Sequence, residues 1–426
     1  MLKLHEEKKR TKNLMIRSAQ LPLKVAIPLS QHLGKACEPI VKTGDEVKTG
    51  QLIATLEEKG VFAPVHSSIS GKVIAIDEVP HPVLGRGRAV IIGSDGKDEK
   101  VGYPACGPEV VERLSAHDIR KIIFDCGVVG MGGAGFPSHI KLSPQKHLES
   151  FILNAAECEP YLTGDYRLML EKTGALLAGI TLVAKCTGVK NVYIAIEDNK
   201  KEAIEAFRKA IANTQYSIKV LKSEYPQGGE KQIINAVLGK EVPFGKFPFD
   251  VGVVVHNVAT VYAMYEALYL GKPLYERVVT VSGNCLKNPG NMRVRIGTSI
   301  KDLMEGCGPL QEEPKRIVLG GPMMGIAQYS LQAPIIKTTT GVIFLSEKEI
   351  EPAEEAFCIR CGRCVERCPL GLMPCMIALS VEKKKWDLAK SYGALECMEC
   401  GSCSYVCPQR RNVVEAIKYA KAKIPR

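Results

Sequence analysis

The sequence lacks long apolar runs: no stretch of its 426 residues approaches the roughly 18 uninterrupted apolar residues that a membrane-spanning helix needs. Its first ten residues are rich in charge and lack the apolar core of a signal peptide. A disordered chain is excluded as well, because apolar residues make up 46% and charged residues 24% of the total. We therefore expect a soluble cytoplasmic chain, long enough for about two to four domains.

Positive charge is in excess, with a net charge of +11. Residues 1–24, the basic N-terminal arm, carry seven Lys or Arg and only two Glu. This arm fits two interpretations: a solvated, partly disordered tail, or a contact site for an anionic lipid surface or an acidic partner. No basic motif interleaved with aromatic residues accompanies it, so we expect no nucleic-acid partner.

Eight of the 16 cysteines fall in two runs of identical spacing, each closed by a proline. The runs are Cys358, Cys361, Cys364 and Cys368 before Pro369, and Cys397, Cys400, Cys403 and Cys407 before Pro408. Structural zinc usually takes Cys-x2-Cys pairs separated by a longer gap. A disulfide scaffold is uncommon in a large chain without an export signal. The spacing is that of bacterial two-cluster ferredoxins and predicts two [4Fe–4S] clusters.

The fourth cysteine of each run is expected to cross to the other cluster, because the proline after it turns the chain away. One cluster is then predicted on Cys358, Cys361, Cys364 and Cys407. The other is predicted on Cys397, Cys400, Cys403 and Cys368. Helices are predicted for residues 372–386 and 412–423, with Cys375 as a buried helix thiol that is not a ligand.

Clusters pass one electron at a time, so another group must supply or accept their electrons, and residues 115–270 are the candidate region for holding it. A glycine-rich loop lies near the start of this region. It contains Gly130, Gly132, Gly133 and Gly135. Four glycines in six residues let backbone N–H groups approach an anion or a flat ring closely, and Lys141 lies within reach of a phosphate. The loop also matches the dinucleotide fingerprint G-x-G-x-x-G. That match is weak, because a predicted helix (115–125) precedes it where the motif requires a strand.

Strands and helices alternate after this loop. Strands are predicted at 151–153, 191–196, 217–221 and 251–255, and helices at 200–211, at 231–238 and up to 270. This alternation predicts a mostly parallel sheet covered by helices. Ligands of such sheets bind beyond the carboxyl ends of the strands. Residues 154–160, 228–230 and 256–257 fall there, so their convergence predicts a binding site.

Residues 132–137 with Lys141, followed by Asn154, Glu157 and Glu159, resemble the flavin- and NADH-binding subunit of respiratory complex I. The resemblance implies non-covalent FMN, with NADH stacked on its ring. It implies FMN contacts by the loop glycines and by Lys141, Asn154, Glu157 and Asn257. It implies that Phe136 and Glu159 face NADH/NAD+ and that Glu230 lies beside it. The sequence departs from the family at Ala156, at His256 and in the 225–230 loop, which lacks the family's Cys-Gly-Glu-Glu run.

Two further modules flank this region. Residues 41–51 and 63–73 show the glycine-punctuated pattern of lipoyl- and biotinyl-type hammerhead folds, with Lys59 in the place of the modified lysine. The usual sequence around a modified lysine is absent, so we expect Lys59 to be unmodified. Residues 275–346 resemble the β-grasp module called SLBB, with strands at 278–282 and 316–319 and a helix at 299–305.

The order of these modules resembles the RnfC family, one component of the Rnf complex, the ion-translocating ferredoxin:NAD oxidoreductase. The fold class implied is multidomain α/β plus β. Its parts are a basic arm (1–24), a hammerhead domain (25–110), a Rossmann-like FMN/NADH domain (111–273), a β-grasp SLBB domain (274–347) and a helical two-cluster ferredoxin domain (348–426). The resemblance also implies a peripheral subunit on the cytoplasmic face of the membrane. Its partners would be the other Rnf subunits and NAD(H), and ferredoxin indirectly. A soluble corrinoid reductase and a relay scaffold without flavin stay open as alternatives.

Overall fold

A computed structural model describes residues 1–58, 60–144, 146–350 and 357–425. Short strands dominate its first hundred residues. They are β1 (Arg17–Ser18), β2 (Lys24–Pro28), β3 (Glu38–Pro39), β4 (Glu46–Val47), β5 (Leu52–Thr55), β6 (Val65–His66), β7 (Gly71–His81) and β8 (Gly85–Ser94). Two antiparallel sheets result, in the orders β2-β8-β7-β4 and β3-β5-β6. Apolar side chains such as Ile27, Ile53 and Ile92 fill the space between them. Lys59 lies outside the described residues.

The interpretation of the basic arm as a solvated, partly disordered tail is wrong. Leu2 and Lys8 are buried, and β1 pairs in parallel with a strand near residue 292. The amide and the carbonyl of Leu2 both bond to Tyr225, at 2.8 Å each. The arm is therefore part of the folded chain, because its polar and apolar groups find partners there.

The middle of the chain forms a parallel sheet covered by helices, as the alternation predicted. Its elements are α1 (Pro108–Arg113), α2 (Ala116–Asp125), α3 (Ser138–Lys141), β9 (Ser150–Ala155), α4 (Gly164–Glu171), α5 (Thr173–Thr187), β10 (Asn191–Glu197), α6 (Lys201–Ala210), β11 (Ser217–Leu221), α7 (Glu230–Leu238), β12 (Val253–Asn257) and α8 (Val258–Tyr269). The strand order is β11-β10-β9-β12, and every pair is parallel. The carboxyl ends of all four strands therefore share one edge of the sheet.

A six-stranded mixed sheet follows, in the order β1-β14-β13-β17-β15-β16. Its remaining elements are β13 (Glu276–Ser282), β14 (Gly290–Arg295), α9 (Ile300–Gly306), β15 (Arg316–Leu319), β16 (Ile326–Ala327) and β17 (Gly341–Leu345). Ser299 caps α9 in a reciprocal bond pair with Asp302, which fixes where the predicted helix begins. Because β1 belongs to this sheet and Leu2 bonds to Tyr225, the N-terminal arm contacts both the six-stranded sheet and the region of the parallel sheet.

The C-terminal region is helical. Its helices are α10 (Arg363–Glu366), α11 (Pro374–Glu382), α12 (Trp386–Ser391), α13 (Ser402–Tyr405) and α14 (Val413–Lys423). The single helix predicted over 372–386 is wrong: α11 ends at Glu382, Lys384 has a positive φ of 53°, and α12 begins at Trp386. Three consecutive lysines carry no apolar side chain to continue the buried stripe of α11. No helix among the described residues is long and apolar enough to cross a membrane.

Candidate functional site

The glycine loop closes on itself between α2 and α3. Val129 pairs with Pro137, and the amide of Gly130 donates to the carbonyl of Phe136 at 2.9 Å. The closure leaves residues 132–134 exposed, and these residues form the glycine tip. The bonds at the base of the loop therefore hold the exposed backbone of the glycine tip in place.

The amino end of α8 positions the glycine tip. The amide of Met131 donates to the hydroxyl of Thr260 at 2.8 Å. A β-carbon on Gly132 would lie 2.8 Å from the side chain of Asn257, so that approach requires glycine. A β-carbon on Gly133 would meet no atom within 4 Å. The tip thus faces open space at Gly133, where a ligand can approach the backbone.

Gly135 packs against the first domain and does not face this opening. Gly135 has a φ of 74°, and a β-carbon there would lie 3.1 Å from the α-carbon of His32 and 3.2 Å from the carbonyl oxygen of Gln31. Phe136 is half-buried. Gly135 therefore serves the packing of the loop against the first domain, a role that the sequence prediction did not include.

Two asparagines stand side by side at the carboxyl edge of the sheet. Asn154 of β9 and Asn257 of β12 are register partners. The side-chain amide of Asn154 donates to the backbone carbonyl of Gly228 at 2.8 Å. The side chain of Asn257 accepts from the amide of Ala259 and donates to Asp165 at 2.5 Å. Asn154 is thus tied to the 225–230 loop, while Asn257 caps α8 beneath the glycine tip.

An ion pair between Lys141 and Glu230 completes the set of predicted residues at this edge, which we call the flavin frame. The Lys141 ammonium lies 2.5 Å from the Glu230 carboxylate and joins the end of α3 to the start of α7. Both side chains remain partly exposed. The glycine tip, the two asparagines, Gly228 and this ion pair surround one edge of the sheet, so the structure brings these predicted residues together.

One buried polar atom at this edge, Nε2 of His256 at the end of β12, has no partner among the described residues. Burial and the nearby Lys141 lower the pKa of His256 well below its usual value, which keeps the imidazole neutral. An unpartnered ring nitrogen near Lys141, together with the open backbone at Gly133, fits a ligand that carries a phosphate and a polar ring. FMN has this chemistry.

The two predicted glutamates, Glu157 and Glu159, are half-buried, and backbone amides hold both carboxylates. The Glu157 carboxylate accepts from the amides of Asp165 at 2.7 Å and Tyr166 at 3.2 Å, at the start of α4. The Glu159 carboxylate accepts from the amides of Met323 at 3.1 Å and Met324 at 2.9 Å. Burial raises the pKa of each carboxyl to about 7. These hydrogen bonds hold Glu159 against the 320–325 loop of the six-stranded sheet, and the Tyr225 hydroxyl lies 3.5 Å from its carboxylate.

Four of the predicted cluster ligands line one cavity, the four-thiol cavity. They are Cys368, Cys397, Cys400 and Cys403. Cys368 comes from the first run and the other three come from the second, which is the grouping that the crossed assignment predicts. The thiols of Cys400 and Cys403 are buried, and their surroundings are mainly apolar. A cavity lined by four thiols matches the ligand set of one [4Fe–4S] cluster.

The other four predicted ligands, the outer set, are Cys358, Cys361, Cys364 and Cys407. Cys361 is exposed and the other three are half-buried. The thiol of Cys364 lies beside that of Cys375, and burial raises the pKa of Cys364 to about 11. No three His, Cys, Asp or Glu side chains in the described part of the chain are grouped closely enough for a single metal ion. A [4Fe–4S] cluster takes one thiolate at each of its four irons, so its ligands lie farther apart than those of a single metal ion.

The 225–230 loop joins the four-thiol cavity to the flavin frame. The Tyr225 hydroxyl donates to the carbonyl of Cys400 at 2.6 Å. Gln232 donates to the carbonyl of Pro369 at 3.3 Å. Sequence reasoning placed the loop at the site but missed Tyr225, since its partner lies 175 residues further along the chain.

Four family models match successive parts of the chain. Residues 2–97 match the RnfC barrel sandwich hybrid domain, and 123–266 match the Nuo51 FMN-binding domain. Residues 278–327 match the SLBB domain, and 352–408 match the 4Fe-4S dicluster domain. The order of the matches is the order of modules expected from the sequence.

Close relatives cover nearly the whole chain. The C component of the proton-translocating ferredoxin:NAD(+) oxidoreductase complex of Clostridium ljungdahlii is 46% identical over 98% of this chain and 92% of its own length. The C component of the Na(+)-translocating ferredoxin:NAD(+) oxidoreductase complex of Acetobacterium woodii is 42% identical over 98% of this chain and 94% of its own. Among solved structures, an NAD+-reducing [NiFe]-hydrogenase in the H2-reduced state shares the fold. The match covers 77% of this chain and 69% of the hydrogenase chain, with a TM-score of 0.51 and 19% identity.

Proposed function

Since the chain belongs to the RnfC family of the ion-translocating ferredoxin:NAD(+) oxidoreductase complexes, we propose that it is the NADH-binding, FMN- and iron–sulfur-containing electron-transfer subunit of such a complex. Its partners are the other subunits of that complex and NAD(H). The domain boundaries expected from the sequence stand as part of this proposal.

FMN, when bound, exchanges an electron pair with a nicotinamide and single electrons with iron–sulfur clusters. The glycine tip supplies backbone N–H groups, and the side chains of Lys141, Asn154 and Asn257 supply hydrogen bonds at the same edge. Glu230 fixes the position of the Lys141 ammonium. As the family resemblance implies, we also propose that Phe136, Glu159 and Glu230 lie on the side of the flavin where the nicotinamide binds.

One observation carries the proposal: a single loop touches both sites. Within residues 225–230, Gly228 accepts from Asn154 of the flavin frame and Tyr225 donates to Cys400 of the four-thiol cavity. Two sites that exchange single electrons must lie close together, and the loop spans them without an intervening domain. We therefore place the four-thiol cavity on the flavin side and the outer set, with exposed Cys361, toward a protein partner.

Removing one ligand of the four-thiol cavity tests this order. In Cys403→Ser, NADH should still bleach the flavin absorbance, while the cluster of the outer set should no longer be reduced within the turnover time. EPR after freeze-quenching distinguishes the two clusters. Normal reduction of the outer cluster in this variant would contradict the order. Clusters without flavin in the parent protein would favour a relay scaffold.

We further propose that the protein is attached to the cytoplasmic face of the membrane through its partner subunits. The motivating observations are that the named relatives belong to complexes that translocate ions, and that the net charge is +11.

A further inference from the structure

We propose that residues 1–10 form a clasp that holds the four-thiol cavity against the flavin domain and keeps water from it. The inference deepens the proposed function, since it rests on the cluster assigned to that cavity. Residues 1–10 belong to the basic arm, for which the sequence suggested a solvated tail or a contact site for an anionic surface or an acidic partner.

The first contact is a direct bond from the arm to the loop that carries Tyr225. The amide of Leu2 donates to the carbonyl of Tyr225, and the amide of Tyr225 donates to the carbonyl of Leu2, at 2.8 Å each. The hydroxyl of Tyr225 in turn donates to the backbone carbonyl of Cys400. Along this path a single residue, Tyr225, links the arm to a cysteine of the cavity.

The second contact is apolar. Leu2, Tyr225 and Cys400 form one buried cluster, in which Leu2 is 8% exposed. Half-buried side chains surround it: Leu4, Cys158, Met323, Met398 and Val406. The arm, the flavin domain, the 320–325 loop and the two-cluster domain all contribute. The potential of an iron–sulfur cluster depends on its exposure to solvent. These apolar side chains, which include Cys400 of the cavity, therefore affect the potential of a cluster bound there.

Polar anchors fix the arm behind Leu2. The buried ammonium of Lys8 donates to the carbonyl of Glu157 at 2.5 Å. The guanidinium of Arg10 donates to the carbonyls of Gly283 and Leu286 at 2.5 and 2.7 Å. Lys8 thus holds the turn that follows β9, and Arg10 holds the six-stranded sheet. Two of the arm's positive charges serve contacts inside the protein, which leaves them no role in an external anionic surface.

Leu2→Asn tests the clasp with little change in side-chain volume. It keeps the two backbone bonds to Tyr225 but puts a polar amide into the apolar cluster. We expect the cluster of the four-thiol cavity to be lost severalfold faster in aerated buffer and its midpoint potential to shift. The cluster of the outer set should behave as in the parent protein. Leu23→Asn, at a leucine that is 89% exposed, is the matched control and should change neither cluster.

Lys8→Met provides a second route, because it keeps the buried stem and removes the ammonium group, with its bond to Glu157 and its charge. It should accelerate loss of the same cluster, to a smaller degree. EPR assigns the two signals by comparison with Cys403→Ser and Cys407→Ser. Unchanged decay and potential in both arm variants would overturn the clasp, and so would equal acceleration of both clusters. Absence of clusters from the parent protein would instead contradict the proposed function.

Discussion

The glycines of the 130–137 loop differ in what a side chain would meet. Side chains at Gly132 and Gly135 would collide with Asn257 and with the backbone at His32, respectively. A side chain at Gly133 would collide with no atom of the protein. Gly133 is therefore the position where a substitution obstructs a ligand and leaves the fold intact.

We predict that Gly133→Val abolishes flavin binding and leaves both clusters in place. The added side chain would occupy the opening at the glycine tip, while the cysteines belong to a separate part of the chain. Flavin fluorescence after denaturation and iron analysis of the purified variant measure the two effects. Gly174→Val is the matched control, because Gly174 is equally open but lies at the start of α5. Normal FMN content in Gly133→Val would show that the flavin lies elsewhere.

Glu157 should make the stability of the protein depend on pH. Burial raises the pKa of its carboxyl from 4.5 to about 7. Between these values the folded protein keeps a proton that the unfolded chain has lost, so the free energy of unfolding falls as pH rises. The change is on the order of 3 kcal/mol, a shift that the nearby Lys8 ammonium already reduces.

Glu157→Gln cannot titrate and should flatten this fall between pH 4.5 and 7. The substitution also replaces one of two acceptors for the amides of Asp165 and Tyr166, which lowers stability by about 1 kcal/mol throughout. Midpoints of thermal unfolding across the pH range measure both effects. Glu241→Gln, at an exposed glutamate, is the control. A pH profile of Glu157→Gln parallel to that of the parent protein would contradict this account.

At the scale of elements, the two cysteine runs make the most specific prediction. Cys407→Ser should damage the cluster of Cys358, Cys361 and Cys364, although its sequence neighbour is Cys403. The reason is the crossing that we expect from the proline after each fourth cysteine, and the place of Cys368 beside Cys397, Cys400 and Cys403 along one cavity supports this expectation. EPR of the reduced variant identifies the cluster that is lost.

Cys375→Ser is the matched control for this experiment. Cys375 lies in α11 beside Cys364 but is predicted not to be a ligand. Both clusters should therefore survive its substitution. Loss of the cluster of Cys397, Cys400 and Cys403 in Cys407→Ser would refute the crossed assignment.

The strands of the parallel sheet were predicted well. The strand at Ser217–Leu221 matches its expected bounds, and the ends of the other three strands differ from the expected ones by no more than two residues. Helices α4 and α5 were missed, although Leu176, Ile180 and Val183 form a buried stripe at helical spacing on α5. The signal was present there. The break between α11 and α12 depends on a positive φ at Lys384, which local propensity does not specify.

At the scale of the whole molecule, contacts between distant segments escaped prediction. Lys337 is buried and donates to the carbonyls of Pro64 at 2.7 Å and Gly127 at 2.8 Å, which joins three domains. Glu159 meets Met323 across 164 residues of sequence. Side-chain type and spacing predicted which residues gather at the strand ends. They do not encode which surfaces of separate domains meet, so the partners of Glu159, Lys8 and Tyr225 required the structure.

The proposed attachment to the membrane should be reversible by salt. Charge and protein contacts are the forces we invoke, and high ionic strength screens the first of them. Washing membranes with concentrated salt or carbonate should release the protein into the supernatant, detected by its flavin and iron. Retention that only detergent overcomes would contradict peripheral attachment.

The central claim is that one chain joins NADH to two clusters through a flavin. Anaerobic purification followed by flavin, iron and sulfide analysis, with NADH then added in a spectrophotometer, tests it most directly. We predict one FMN and about eight irons with about eight sulfides per chain, and bleaching of the flavin and cluster absorbance by NADH. Stoichiometric zinc without labile sulfide, or intact clusters that NADH does not reduce in a protein without flavin, would contradict it.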